Sequence, residues 1–339
     1  MTIKDRINTL WGNKRHHDYS ETPQIPKNIM VELSNACNHA CIFCANPHMQ
    51  RKISRINSDL LERIMTEAAD LACEEIGFYT TGEPFVHKNL KYFTSKAHDL
   101  GFRYIYISTN GALATPEKMQ EIVDAGMNSI KFSINAGTRE SYRRIHGRDD
   151  WDKVMTNLRF LSEYRKTLEQ GLYLSVSFIV TKQTEHEEKI YRELFTPLVD
   201  EVYIQPCGSQ AGNMSGAQQL LSVGEAQGQG DGGICPLPFA RFHVTCEGYL
   251  TLCCTDYQNY LAVADLNEMS LNEAWHCPEF VAIRKRHISG DLKGTLCGNC
   301  WLNRMDPIEP LDKKLGSVID FTKLYDEQKA RIATWTSDT

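Results

Sequence analysis

Between residues 28 and 206, short β-like runs alternate with stretches that repeat apolar residues at helical spacing, and this alternation restricts the fold more than any other feature. Asn28–Leu33 (NIMVEL), Glu75–Thr80 (EIGFYT), Arg103–Ser108 (RYIYIS), Ser129–Ile134 (SIKFSI), Leu172–Val180 and Glu201–Gln205 are predicted strands. Leu60–Ala72, Leu90–Leu100, Pro116–Ala125, Trp151–Tyr164 and His186–Leu198 are predicted helices, the third opening with Thr115 as its N-cap. Strands alternating with helices lie parallel, with the helices outside, in a barrel or in an open doubly wound sheet. Six such units are too few for a full eight-stranded barrel.

The 339 residues suit two domains, or one large α/β domain with an appendage. Residues 1–27 form an N-terminal segment and 28–207 the β/α unit. Gly208–Gly233 is rich in Gly, Gln and Ser, so 208–234 reads as a linker loop that cannot build a core. A Cys-rich segment, 235–303, follows, and the tail, 304–339, carries a predicted helix over Phe321–Trp335. Met1–Ser20 has no apolar signal region, and no window approaches the ~18 apolar residues of a membrane span. A net charge of −6 speaks against dedicated nucleic-acid binding. The expectation is a soluble cytoplasmic protein with neither a membrane nor a nucleic-acid partner.

Twelve cysteines without a signal peptide point to metal ligation or catalysis rather than disulfides. Cys37-x3-Cys41-x2-Cys44 sits in the loop after the first strand. Three thiolates this close can hold one face of an iron–sulfur cubane and leave the fourth iron without a protein ligand. Zinc is the alternative, with His39 or His48 as a fourth ligand. The stretch CNHACIFC resembles the C-x3-C-x-Φ-C signature of radical S-adenosylmethionine (SAM) enzymes, Phe43 being the aromatic before the third cysteine. The resemblance implies a 4Fe-4S cluster on Cys37, Cys41 and Cys44 whose open iron chelates SAM. It also implies reductive cleavage of SAM to a 5′-deoxyadenosyl radical that abstracts a substrate hydrogen, with the electron coming from a flavodoxin- or ferredoxin-type donor.

The resemblance extends to the strand ends over about residues 28–206. Thr81-Gly82-Glu83-Pro84 is similar to the family's GGEP motif, with Thr where Gly is usual. There Gly allows close backbone approach, and Glu83 is the expected acceptor for the SAM ammonium. Ser108 and Asn110 in Ser-Thr-Asn-Gly, and Ser133 with Asn135, lie where the family contacts the ribose and carboxylate of SAM. The implied fold is a partial (β/α)6 TIM-like barrel followed by a small Cys-rich domain of the twitch or SPASM type.

Cys235-x12-Gly248-x4-Cys253, followed by Cys297-x2-Cys300, is similar to the family's C-terminal auxiliary-cluster extension. Its further cysteines are missing, position 306 being Asp, so four ligands remain for one auxiliary 4Fe-4S cluster. A four-cysteine zinc site has an equally good ligand count. Four protein ligands leave no open iron, which favours an electron relay. Cys73, Cys207, Cys246, Cys254 and Cys277 are unassigned, and Cys73 is expected in the core. Cys254 and Cys207 are candidates to return a hydrogen atom to a substrate radical, against the plainer reading of buried spectators.

The resemblance suggests oxidation or epimerisation of a carbinol centre of a sugar, nucleotide sugar or aminocyclitol, as in the 2-deoxy-scyllo-inosamine dehydrogenase type. A general base is then required; Glu225 on the linker is one option and a barrel Arg or Tyr another. The alternative is peptide or protein modification, made less favourable by the roughly 27 residues before the first strand, too few for a peptide-recognition domain. Arg139, Arg143, Arg144, His146 and Arg148 are read as a solvated helix face rather than a phosphate site. Trp275, Tyr249 and Trp301 are read as packing rather than sugar stacking.

Overall fold

The computed structural model describes residues 17–224, 233–302 and 306–336. The chain runs β1 (Asn28–Val31), α1 (Ser58–Asp70), β2 (Glu75–Gly77), α2 (Leu90–Asp99), β3 (Tyr104–Thr109), α3 (Pro116–Asp124), β4 (Ser129–Ser133), α4 (Arg139–His146) and α5 (Trp151–Tyr164). It continues through β5 (Tyr173–Val180), α6 (Glu188–Phe195), β6 (Glu201–Pro206), α7 (Ser215–Leu221), α8 (Leu237–Ala240), β7 (Phe242–Val244), β8 (Tyr249–Thr251) and β9 (Ala262–Asp265). Four helices close it: α9 (Leu271–Trp275), α10 (Pro278–Ser289), α11 (Leu296–Trp301) and α12 (Phe321–Thr336).

Strands β1 to β6 pair in sequence order and in parallel, forming the partial (β/α)6 barrel. Strand alternation gives this sheet two chemically distinct faces. Ile29, Val31, Ile76, Ile105, Ile107, Ile130 and Phe132 are fully buried beneath the helices. The alternate residues, among them Met30, Tyr106, Ser108, Lys131 and Ser133, occupy the inner face. Helix α1 shows how the outer layer is specified. Asn57 caps it by accepting the Leu60 N–H, and Leu61, Ile64, Met65 and Ala68 form its buried stripe.

Two features differ from the sequence reading. The Cys-rich segment continues the barrel sheet, because β7 pairs in parallel with the free edge of β1 and β8 and β9 add antiparallel strands. The stretch expected as a linker also packs as structure: α7 lies buried against α12. Tyr325 Oη donates to Gly212 O at 2.7 Å and Gln328 Nε2 to Asn213 O at 2.9 Å. A Cβ on Gly216 would stand 2.4 Å from Tyr325 Cβ, so glycine here serves close packing rather than flexibility. Among the described residues, no helix is long and apolar enough to cross a membrane.

Candidate functional site

The first cysteine cluster is held at the C-terminal ends of the parallel strands, where β/α folds place their chemistry. Cys41 N–H is not the anchor; Ala40 and Ile42 N–H groups donate to His146 O and Ile145 O, tying the loop to α4. Burial raises the Cys41 thiol, and Cys44 and Cys37 beside it raise it further, so the three sulfurs crowd one another. The Cys37 thiol is pushed up to about 12, by burial first and then by Glu83. Three crowded thiols that resist ionisation alone are a donor set suited to a cationic iron cluster.

The Thr81–Pro84 turn is braced against this loop. Glu83 N–H donates to Ala36 O at 2.9 Å, and a Cβ on Gly82 would stand 2.1 Å from Ser34 O, so only glycine fits. The Glu83 carboxyl, expected to face a ligand ammonium, is bonded within the protein: it accepts from Thr109 Oγ1 at 2.6 Å, Asn110 N–H at 2.8 Å and Phe85 N–H at 3.1 Å. Burial pushes it up to about 7. Thr81 earns its departure from glycine by donating its hydroxyl to buried Glu32. Burial raises Glu32, but Arg51, the Thr81 hydroxyl and the Cys246 N–H together more than offset this and hold it below the usual carboxylate range. Arg51 Nη2 lies 2.5 Å from both Glu32 Oε2 and Glu247 Oε2, so its guanidinium supplies the cation between these carboxylates.

Ser108 Oγ and Ser133 Oγ lie 3.1 Å apart on the inner face. Asn110 Nδ2 donates to Asn38 Oδ1 at 2.8 Å and approaches Cys37 Sγ at 3.9 Å, linking the third strand end to the cysteine loop. Asn135 Oδ1 accepts the Ile179 N–H at 2.9 Å, so that oxygen is engaged by β5. Phe43 is buried with Ile42, Ile145, Met214, Tyr257 and Ile332, placing the loop on an apolar seat. The zinc alternative finds both histidines engaged: His48 Nε2 meets Arg331 Nη1 at 3.3 Å, and His39 Nε2 meets Asp150 at 3.3 Å.

His146 lies here too, buried rather than on a solvated face. Its Nε2 accepts the Asn135 N–H at 3.2 Å, so the neutral ring carries its proton on Nδ1. That Nδ1–H points between Cys41 Sγ at 3.4 Å and His39 Nδ1 at 3.3 Å. Burial lowers both histidines, which keeps them neutral. From the opposite side, Tyr257 Oη stands 3.4 Å from Cys44 Sγ.

Cys235, Cys253, Cys297 and Cys300 line one pocket with Leu237, Leu252 and Trp301. These thiols come from three segments of the fold, Cys297 and Cys300 sharing α11. Burial raises Cys297, and Cys235 and Cys300 raise it further, again a crowded sulfur set. Trp301 and Trp275 are packed as expected, with indole N–H groups donating to Gly233 O and Pro23 O.

Residues 31–194 match the radical SAM superfamily, and residues 235–301 match the iron–sulfur cluster-binding SPASM domain. The chain belongs to the radical SAM superfamily. SAM and a 4Fe-4S cluster are therefore its cofactors, and the SPASM segment carries the auxiliary iron–sulfur site. An S-adenosyl-L-methionine-dependent 2-deoxy-scyllo-inosamine dehydrogenase of Niallia circulans is 24% identical over 80% of this chain and 91% of its own. A PqqA peptide cyclase of Bradyrhizobium diazoefficiens is 25% identical over 51% of this chain and 44% of its own. SuiB of Streptococcus suis, solved with its precursor peptide, superposes with a TM-score of 0.63 at 14% identity, over 86% of this chain and 76% of its own. The chain spans about half the length of most of the curated relatives it matches.

In this radical SAM fold the two candidate hydrogen donors part company. Cys207 is buried in the apolar cluster beneath Phe43, and burial pushes its thiol up to about 12, the surroundings of a packing residue. Cys254 does not line the pocket of its neighbour Cys253. It stands beside His243 and Arg241, with Lys131 near it; a hydrogen bond from Cys253, then His243 and Arg241, hold it well below the usual thiol range. Glu225 lies outside the described residues. Lys131, Arg241, His243 and Tyr257 escaped the sequence reading, and His146 was read as part of a solvated face, although one signal was there. A lysine inside SIKFSI, with Ile and Phe on either side, marks the polar face of that strand.

Proposed function

We propose that this enzyme oxidises or epimerises a carbinol centre of a sugar-like small molecule held on the inner face of the barrel. The observation that supports this reading most is the position of Cys254, next to Cys253 and beside Lys131 of β4 and His243 of β7 on the inner face. Bound at Cys37, Cys41 and Cys44, SAM supplies the hydrogen-abstracting radical, and an auxiliary cluster on Cys235, Cys253, Cys297 and Cys300 supplies a one-electron acceptor. We assign SAM orientation to Gly82, Pro84, Ser108, Asn110, Ser133 and Asn135, with Glu83 bracing their turn and Phe43 seating the cysteine loop. We assign Cys254 to return a hydrogen atom to the substrate radical; because its neighbours favour the thiolate, it must first take up a proton. Hydrogen return inverts the carbon, whereas loss of a proton and an electron from the radical completes oxidation. A flavodoxin- or ferredoxin-type protein is the assigned electron donor and the cytoplasm the assigned compartment, where thiols remain reduced. The Niallia circulans relative favours a small-molecule substrate because the match spans most of both chains.

A second reading, peptide modification, is favoured by the likeness to the PqqA peptide cyclase and carries the same site. One assay separates the two. Reduced, anaerobic holoprotein with SAM is offered sugars, nucleotide sugars, aminocyclitols and peptides, and 5′-deoxyadenosine is quantified. Stimulation by a carbinol compound is expected, with a product that lacks two hydrogens (oxidation) or gains one deuterium from heavy water (epimerisation). Stimulation by peptides alone overturns the proposal.

A further inference from the structure

The inner face of the barrel gathers Arg241 and Lys131 around the Cys254 thiol. Strand alternation puts Lys131 on the same face as Ser133, and register puts His243 beside Met30 and Arg241 beside Asn28. Lys131 Nζ stands 5.7 Å from the centre of the Tyr79 ring. Arg241 Nη1 donates to the Met30 thioether at 3.4 Å, and its buried Nε completes no hydrogen bond among the described residues. His243 is fully buried beside the Cys254 thiol, and burial holds its ring below the usual histidine range. The acidic side chains of the same face already have partners: Glu32 has Arg51, Glu75 accepts from Asn28 Nδ2, and Glu201 accepts from Tyr173 Oη.

Two half-buried cations set side by side around one thiol, one of them with a buried Nε that completes no hydrogen bond, favour a ligand that brings further negative charge and acceptor oxygens. A planar guanidinium also presents a fork of N–H donors that matches the geometry of an oxyanion. We propose that the inner face binds an oxyanion of the substrate, a carboxylate or a phosphate, between Arg241, Lys131 and His243. The site lies on the same face as the Ser108–Ser133 pair, so an anion held there directs the rest of its molecule toward the SAM end of the barrel. This inference rests on the reading that the substrate occupies the inner face, and it narrows that reading. An acidic or phosphorylated sugar, or a nucleotide sugar, complements these cations, whereas the ammonium of an aminocyclitol is repelled by them.

The test is calorimetric titration of anaerobic, SAM-loaded holoprotein with inorganic phosphate and, separately, with acetate. Saturable binding is expected, and the tighter probe identifies the source of the oxyanion. Arg241→Gln and Lys131→Gln should each weaken it by about tenfold or more, the loss of one charge-assisted hydrogen bond. Lys189→Gln, on exposed α6, should leave it unchanged. Arg241→Lys keeps the charge and should retain most of the binding, which decides the matter if Arg241→Gln fails to take up iron. Absence of saturable binding for both probes, or equal binding in the two Gln variants, overturns the site. Anion binding without any carbinol substrate leaves the site standing and removes the carbinol reading. A neutral carbinol substrate without anion binding does the reverse.

Discussion

The two cysteine sites are built in opposite ways. Cys37, Cys41 and Cys44 come from one short loop, and the fold's task is to hold that loop against α4, the Thr81–Pro84 turn and Phe43's apolar seat. Cys235, Cys253 and the Cys297–Cys300 pair of α11 come from three separate places, and the extension of the barrel sheet by β7 and β8 brings them to one pocket. The difference teaches that the first site depends on local sequence and the second on topology. Three ligands also leave an open coordination position, and four close it. One short loop joins them: Cys253 faces the second pocket, Cys254 the inner face, and Tyr257 the first site.

The largest effects should come from deleting either ligand set. Cys37, Cys41 and Cys44 changed together to Ala should lower iron content from about eight to about four per chain and abolish 5′-deoxyadenosine formation. Changing Cys297 and Cys300 together should remove the other half of the iron, leave SAM cleavage partly intact and stop turnover. Iron analysis with EPR on anaerobic protein reads both outcomes. Equal loss of SAM cleavage in the two variants would break the contrast and make the second site structural. About four irons with zinc in the remainder would sharpen it differently, by removing the electron acceptor.

A smaller effect is expected from the ion network that fastens the two regions together. Arg51 joins Glu32 on the barrel side to Glu247 in the β7–β8 turn, and its Nη1 donates to Asp256 O in the joining loop at 3.3 Å. Glu32 and Arg51 side chains are 1% and 5% exposed, so breaking the pair should cost about 3–5 kcal/mol. Glu32→Gln is therefore expected to unfold at lower urea, and to lose iron from the Cys235 site before the Cys37 site. Because Glu32's carboxyl is held below its ordinary value, its stabilisation is present above the unfolded carboxylate range and is lost as pH falls through the folded value. The urea gap between wild type and Glu32→Gln should narrow in that acid window. A gap that widens in acid would contradict the assignment.

The same contrast governs how much could be read from sequence. The six β/α units and the first cluster were legible because each depends on local periodicity or on residues a few positions apart. The linker reading failed because Gly212 and Gly216 look like flexibility in one dimension, whereas the missing Cβ makes room for α11 at Gly212 and for α12 at Gly216. The continuation of the sheet into the Cys-rich segment was hidden because β7 is only three residues long and its partner β1 lies more than two hundred residues earlier. His146 was misread for a related reason. It ends a helix of charged residues, and only the return of the cysteine loop to α4 turns that position into a buried contact with Cys41.

The smallest expected effects are on the hydrogen bonds to the first cluster's sulfurs, and they test whether the joining loop reaches that site functionally. Tyr257 is fully buried, and burial first, then Cys44, raises its hydroxyl well above the usual range, so it stays a donor to Cys44 Sγ. Hydrogen bonds to ligating sulfur stabilise the more negative, reduced cluster and raise its potential. Tyr257→Phe keeps the ring and removes only the donor, so the cluster's reduction potential should fall while iron content and fold are unchanged. An EPR-monitored redox titration of anaerobic protein measures this directly. His146→Phe removes the donor on the opposite sulfur and should shift the potential in the same direction. In that case the loop bearing Cys253 tunes one site while ligating the other. An unchanged potential in Tyr257→Phe would confine the loop to packing and leave the two sites independent.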